Sequence, residues 1–311
     1  MPLALVLFWL SASPARAGGE HIVLVSHGGV GNPFWGVLFN GAKQAASDVG
    51  ARLQILFPNQ DGDQPGTTQK LAEAISTQPD GIAVTLATPA HCEYIREARD
   101  KGIPVVVYNA RAVAAGAKCP YQAYIGMDEY EAGRASARRA WASGRVKGRA
   151  VVGLTEAGHV GLQARAKGIG DVLRGHKVVV EVMDLGNDAS AIGTRFRGYL
   201  ERHKADLTAL FIPSPQGAHP ILRLMQDDPS GAGKKYAATF DLTPLILKGI
   251  DQGFIDHTVD QQPYLQGYYA VLQLAMAARG KFAPSDIDTG VGVVQRETAK
   301  AVAELVQKGV R

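Results

Sequence analysis

The feature that most constrains this chain is a strict alternation of two kinds of segment. Short apolar runs rich in β-branched residues occupy 21–26, 52–57, 81–86, 104–108 and 123–126, and a second series occupies 150–154, 178–183, 209–212, 237–240 and 257–259. Each run is nearly continuous in its hydrophobicity, the mark of parallel strands covered on both faces. Helix-length segments separate them, among them 33–49, 66–78, 90–101 and 162–173. Such alternation implies right-handed βαβ units and parallel sheets. Two series of about five strands each point to two doubly wound, Rossmann-like α/β lobes rather than one sheet.

The join at 126–129 passes from strand into helix with no Pro/Gly/Ser-rich linker, which suits a hinge. Beyond the second series come a helix at 264–279, a weak strand at 289–294 and a terminal helix at 296–308, enough chain to cross back between lobes. The expected N-terminal lobe is 18–127 with 262–289, and the C-terminal lobe is 128–261 with 290–311. Three crossings, near 126–128, 261–262 and 288–290, would form the hinge.

The ends and the charge narrow the function classes. Leu3 to Leu10 is apolar, and a small-residue stretch closing on Ala15-x-Ala17 follows. This reads as a cleavable export signal over 1–17, although no Lys or Arg precedes it. The run falls far short of the roughly 20 apolar residues that span a bilayer. A net charge of +4 over 311 residues, with the basic residues scattered, argues against nucleic acid as a partner. The eight histidines show no His-x-x-x-His or His-Glu-x-x-His spacing, and two cysteines are too few for a cysteine metal site. No metal and no cofactor are expected.

Ligands of open α/β sheets bind beyond the carboxyl ends of the strands. The first strand is followed by Ser26-His27-Gly28-Gly29-Val30-Gly31-Asn32-Pro33-Phe34-Trp35. A phosphate loop would end in Gly-Lys-Ser/Thr, and a dinucleotide turn would need glycine where Phe34 stands. Asn32 suits an N-cap and Pro33 the first helical position. Phe34 and Trp35 then sit about 100° apart on the first turn, so that one ring faces the cleft and the other packs inward. His27, His91, His159 and His219 fall near strand ends, and His27 and His159 are candidate ligand contacts. Gly-x-Ser-x-Gly is missing, and Ser26 and His27 are too close in the chain to act as nucleophile and base. Asp128 reads as helix cap and hinge, Asp241 as a ligand acceptor and Asp260 as hinge. No catalytic constellation emerges. Cys92 and Cys119 follow adjacent strands, and in an exported protein they are expected to form a disulfide pinning the 110–121 loop.

The order of short motifs resembles one family. Asn32-Pro33-Phe34-Trp35 with Gly41-Ala42-x-x-Ala45-Ala46 is similar to the start of the sugar-type, ribose-binding-like group of type I periplasmic binding proteins of ABC importers. The likeness continues through Asp80-Gly81-Ile82, Gly102-Ile103-Pro104-Val105-Val106, Ile125-Gly126-Met127-Asp128, Phe240-Asp241-x-Thr243-Pro244 and Asp260-Gln261-Gln262-Pro263-Tyr264. The resemblance implies a periplasmic, monomeric binder that closes on a small molecule and is read by a membrane permease or a membrane sensor. It also implies ligand contacts at Asn32, Phe34, Trp35, Phe240, Asp241 and Gln261. The chain departs from the ribose-type pattern in three places. Asn109-Ala110 replaces Asp-Arg, Gln163 stands where a pocket Arg is expected, and Ser214-Pro215 replaces Asn-Asp. Each change removes charge or a forked donor of the kind suited to vicinal hydroxyls. Asn109, Gln163 and Ser214 are therefore carried as contacts of a more neutral pocket. A sugar or sugar-like ligand is the leading reading, and a less polar one (lipid-like, terpenoid or sterol) is the alternative.

Overall fold

The apolar runs become strands and the amphipathic ones helices in the computed structural model, which describes residues 18–227, 233–290 and 292–311. The proposed signal segment lies outside the described residues. The first half runs β1 (His21–Val25), α1 (Pro33–Val49), β2 (Arg52–Leu56), α2 (Gln64–Ser76), β3 (Gly81–Leu86), α3 (His91–Asp100), β4 (Val105–Arg111) and β5 (Ala123–Gly126). The second runs α4 (Glu129–Ala142), β6 (Arg149–Leu154), α5 (Val160–Gly175), β7 (Val179–Asp184), α6 (Ala189–Arg202), β8 (Leu207–Ile212), α7 (Pro215–Gln226), β9 (Tyr236–Phe240), α8 (Pro244–Asp251) and β10 (His257–Asp260). The chain ends in α9 (Pro263–Gly280), β11 (Ile287–Asp288), β12 (Gly292–Gln295) and α10 (Arg296–Gln307). None of the described helices is long and apolar enough to cross a membrane.

Two six-stranded sheets result. One has the order β11-β5-β4-β3-β1-β2, the other β12-β10-β9-β8-β6-β7, and every pairing is parallel except β10 with β12. Each sheet is the centre of one lobe, with apolar residues on both faces and separate hydrophobic clusters above and below.

The expected strand at 289–294 is in fact two. β11 extends the first sheet beside β5, and β12 joins the second sheet antiparallel to β10. The break has a local cause: the Gly290 N–H donates to Asp288 Oδ1 at 2.8 Å, and Gly290 takes φ +76°, a conformation that costs glycine little. The chain thereby passes from one lobe to the other.

Helix starts follow side-chain chemistry. Asn32 Oδ1 accepts from the Phe34 N–H at 3.1 Å, and Asp128 caps α4 by accepting from Glu131 at 3.0 Å. α5 begins two residues earlier than the hydrophobic pattern suggests, because the His159 side chain caps it. Each lobe also holds a helix pair in backbone contact. A Cβ on Gly41 would lie 1.9 Å from the Tyr264 carbonyl oxygen, and one on Gly267 would lie 2.1 Å from that of Leu38, so the close approach of α1 and α9 requires glycine at both places. That contact sets α9, and with it Gln266, against the interlobe crossing. Beside the cleft, Cys92 and Cys119 are bonded with Cα atoms 4.8 Å apart, and Arg96 donates to the Ala117 and Lys118 carbonyls.

Candidate functional site

The carboxyl ends of the two sheets face each other across a cleft whose free space is small, about 60 Å³. One wall is aromatic. Phe34 and Trp35 both line it, edge to face at 4.9 Å, and Trp35 also stacks on Phe39. The expectation that only one ring faces the cleft is corrected here. The first turn of α1 stands at the lobe margin, so both neighbours reach the cleft while both remain buried, at 8% and 3% exposure. Glycine is required at position 28 because a Cβ there would lie 2.1 Å from Trp35 Nε1.

The floor is a polar chain running between the lobes. Asn109, at the end of β4, donates its amide to Gln261 Oε1 at 3.2 Å, and Gln261 Nε2 donates to Asp241 Oδ1 at 2.8 Å. Gln266 on α9 closes the chain through the Gln261 carbonyl and Thr289 Oγ1. Asn109, Asp241 and Gln262 all hold positive φ, at 60°, 67° and 58°. Left-handed backbone is uncommon outside glycine and clusters where function holds it in place. Burial pushes the Asp241 carboxyl up to about 7, with Arg165 and Gln261 pulling the other way. Asp260 anchors the same crossing: its carboxylate accepts from Arg311 at 2.7 Å and from the Gln262 N–H at 2.9 Å.

The opposite wall corrects the reading of α5. Gln163 is exposed, and its amide donates to the Ala157 carbonyl instead of facing the cleft. Two residues along a helix lie about 200° apart, so the side turned inward is that of Arg165. Its guanidinium pairs with both Glu129 oxygens at 2.5 and 3.0 Å, donates to the Pro213 carbonyl at 2.8 Å, and lies over the Phe240 ring at 4.5 Å. Phe240 therefore sits behind Arg165, packed with Met127, Ala132 and Val259, and is not among the cleft-lining residues. Ser214 does line the cleft, bonded to Thr155 Oγ1 at 3.1 Å and capping α7. The pocket thus keeps a forked cation, and the expectation of a neutral site gives way. Arg165, Thr155, Glu156 and Gln216 were missed in the sequence. Only Arg165 carried a signal there, as the first basic residue after β6.

His27 and His159 meet across the cleft, Nε2 to Nε2, at 3.1 Å. Burial lowers both, His27 far below its ordinary value and His159 to about 4, so both rings are neutral. His219 donates or accepts at Thr243 Oγ1 at 2.8 Å and lines a rim groove of about 820 Å³, which shares Asn32 and Gln216 with the cleft. His91 is fully buried behind the cleft, its Nδ1 3.3 Å from the Thr85 carbonyl. Among the described residues no group of three or more His, Cys, Asp or Glu is placed to hold a metal ion.

This geometry has relatives. A structure described as an ABC sugar transporter (periplasmic sugar binding protein) from Legionella pneumophila is 30% identical, covers 87% of this chain and 99% of its own, and superposes with a TM-score of 0.82. A carbohydrate transporter from Acidothermus cellulolyticus 11B, solved with myo-inositol, is 26% identical over 94% of this chain and 100% of its own, with a TM-score of 0.84. The xylose/arabinose-binding protein XylF of Sulfolobus acidocaldarius is 31% identical over 70% of this chain, and the match spans 57% of that protein's length. Residues 22–282 match the model of the periplasmic binding protein domain. The chain therefore belongs to the periplasmic binding protein family, in its two-lobed, sugar-type form.

Proposed function

We propose that this protein is the sugar-capturing subunit of an ABC-type importer, exported by residues 1–17, working in the periplasm and doing no chemistry on its ligand. The observation that carries this reading is the pairing of an aromatic wall with the Asn109–Gln261–Asp241 chain and Arg165 on the facing lobe. A sugar offers an apolar ring face to the first and hydroxyls that donate and accept to the second. The named contacts are Asn32, Phe34, Trp35, Asn109, Arg165, Ser214, Asp241 and Gln261, with His27 and His159 at the margin.

The lobes are taken as 18–127 with 262–289 and 128–261 with 290–311, which the sheet membership of β11 and β12 supports. Closure about the three crossings brings both lobes onto the ligand, so the ligand favours the closed form by the contacts it gains there. A membrane permease would then read the closed shape of a monomer. Asn109, Arg165, Asp241 and Gln261 all line the cleft, which argues against a lipid-like or terpenoid ligand, whose apolar surface would take these polar groups further from water without adding a hydrogen bond.

Thermal-shift and calorimetric screening with D-xylose, L-arabinose, D-arabinose and myo-inositol tests the reading. At least one sugar or polyol should raise the melting temperature and bind with one-to-one stoichiometry. Stabilisation by apolar ligands alone, or turnover of the bound compound, would overturn it.

A further inference from the structure

The contact between His27 and His159 is an interlobe one, since His27 follows β1 and His159 precedes α5. Its hydrogen positions follow from the partners. His159 Nδ1 accepts from the Gly161 and Leu162 N–H groups at 3.0 and 3.3 Å, as the N-cap of α5, so that nitrogen carries no proton. The His159 proton is therefore on Nε2, the atom 3.1 Å from His27 Nε2. His159 donates across the cleft and His27 accepts, which leaves the His27 proton on Nδ1, a buried position with no protein partner. The chain of bonds thus runs from the backbone of α5, through two neutral imidazoles, into the N-terminal lobe.

We propose that this histidine pair is a proton-sensitive latch: it holds the lobes closed while both rings are neutral and releases them when either ring takes up a proton. A second proton on His159 has only Nδ1 to occupy, where it would displace the cap and put positive charge at a helix N-terminus already positive by its dipole. A second proton on His27 would occupy Nε2 and turn the acceptor into a donor facing a donor. The neighbours reinforce this. Arg165 lies on the His159 side and His91 on the His27 side, both acting against protonation, while Trp35 packs edge-on to His27 at 4.8 Å.

Carboxylates around the pair act in the opposite sense. Glu156 at the same rim faces Asp61, and burial with that repulsion raises it to about 7, as burial raises Asp241 to about 7. Glu129 is held by Arg165. Groups raised in the closed form favour closure below their open-state values and oppose it as pH rises through 7. The histidines, lowered in the closed form, favour closure above about 6.5 and lose that contribution as pH falls. The two sets must be separated by comparing proteins, because both act in wild type.

The test is the closed-to-open equilibrium without sugar, measured by small-angle X-ray scattering from pH 8 to pH 5 for wild type and His159→Asn. Asparagine keeps the helix cap and removes the bond across the cleft, while the carboxylates are common to both proteins and divide out of the ratio. With His159 at about 4 when closed and 6.5 when open, the wild-type advantage should fall by about 30-fold over that range at the upper limit. Partial solvent contact of His159 makes roughly tenfold the value to expect. If His159→Asn fails to fold, His159→Ser supplies the same cap and the same comparison. A ratio that stays constant with pH, or a single closed form in both proteins at every pH, would overturn the latch. Neither result bears on sugar capture, which the ligand screen tests independently.

Discussion

Replacing Arg165 by methionine separates what this residue does for the fold from what it does for the ligand. Its side chain is 6% exposed and that of its partner Glu129 11%, so the change leaves a carboxylate buried without its counter-charge. Breaking such a pair from one side costs about 3–5 kcal/mol, and the lost bond to the Pro213 carbonyl keeps the expected value near the top of that range. The C-terminal lobe should melt roughly 10 °C lower, at a few degrees per kcal/mol. Burial already raises the Glu129 carboxyl, with Arg165 opposing, and without Arg165 it rises further. The variant's deficit should therefore shrink as pH falls, and be gone well below 4.5, where the carboxyl is protonated in the unfolded chain as well as the folded one. Glu129→Gln combined with Arg165→Met removes both charges and should recover all but about 1–2 kcal/mol. Sugar affinity, measured by titration calorimetry with the sugar found by screening, should stay lost in both variants. A single variant within about 1 kcal/mol of wild type, or a double variant no better than the single, would refute the buried ion pair. Wild-type affinity in the double variant would remove Arg165 from the site.

Other expectations can be measured on the same preparations. Trp35→Ala should weaken sugar binding and also cost about 3–5 kcal/mol in denaturant unfolding, because the ring is core as well as wall; unchanged stability would count against that packing. Gly41→Ala should destabilise the N-terminal lobe by at least about 1–3 kcal/mol, since its methyl meets the Tyr264 backbone, whereas the same change at the open position Gly36 should not. Glu156→Gln should stabilise the protein at pH 8 by about 1–2 kcal/mol, discounted for partial exposure, and the gain should vanish by pH 4.5, because the carboxyl sits at about 7 when folded. Replacing Cys92 and Cys119 together by alanine should cost about 3–4 kcal/mol, the loop-closure value for a separation of 27 residues, read from urea midpoints.

Backbone architecture was legible in the sequence because it depends on local pattern. Buried parallel strands need continuous apolar runs, and helices between them need one apolar face, so the order of elements and the two-lobe division follow from composition along the chain. Caps were legible for the same reason: Asn32-Pro33 and Asp128 act within one turn. Residues on turns fixed by such caps, Phe34 and Trp35, and those at strand ends, Asn109, Ser214, Asp241 and Gln261, line the cleft where the order of elements puts them. What failed was angular and long-range. Gln163 and Arg165 are two residues apart, and choosing between them requires the starting point of α5, which a histidine side chain sets. Phe240 and Asp241 are adjacent, yet one is core behind Arg165 and the other lies on the cleft floor. The weak strand at 289–294 divides between sheets because each half pairs with a strand far away in sequence. The bond from His159 to His27 joins residues 132 positions apart. Periodicity records which face of an element is buried; only the packed lobes decide which side chains from different elements meet, because that depends on helix rotation and lobe closure that no local run of residues encodes.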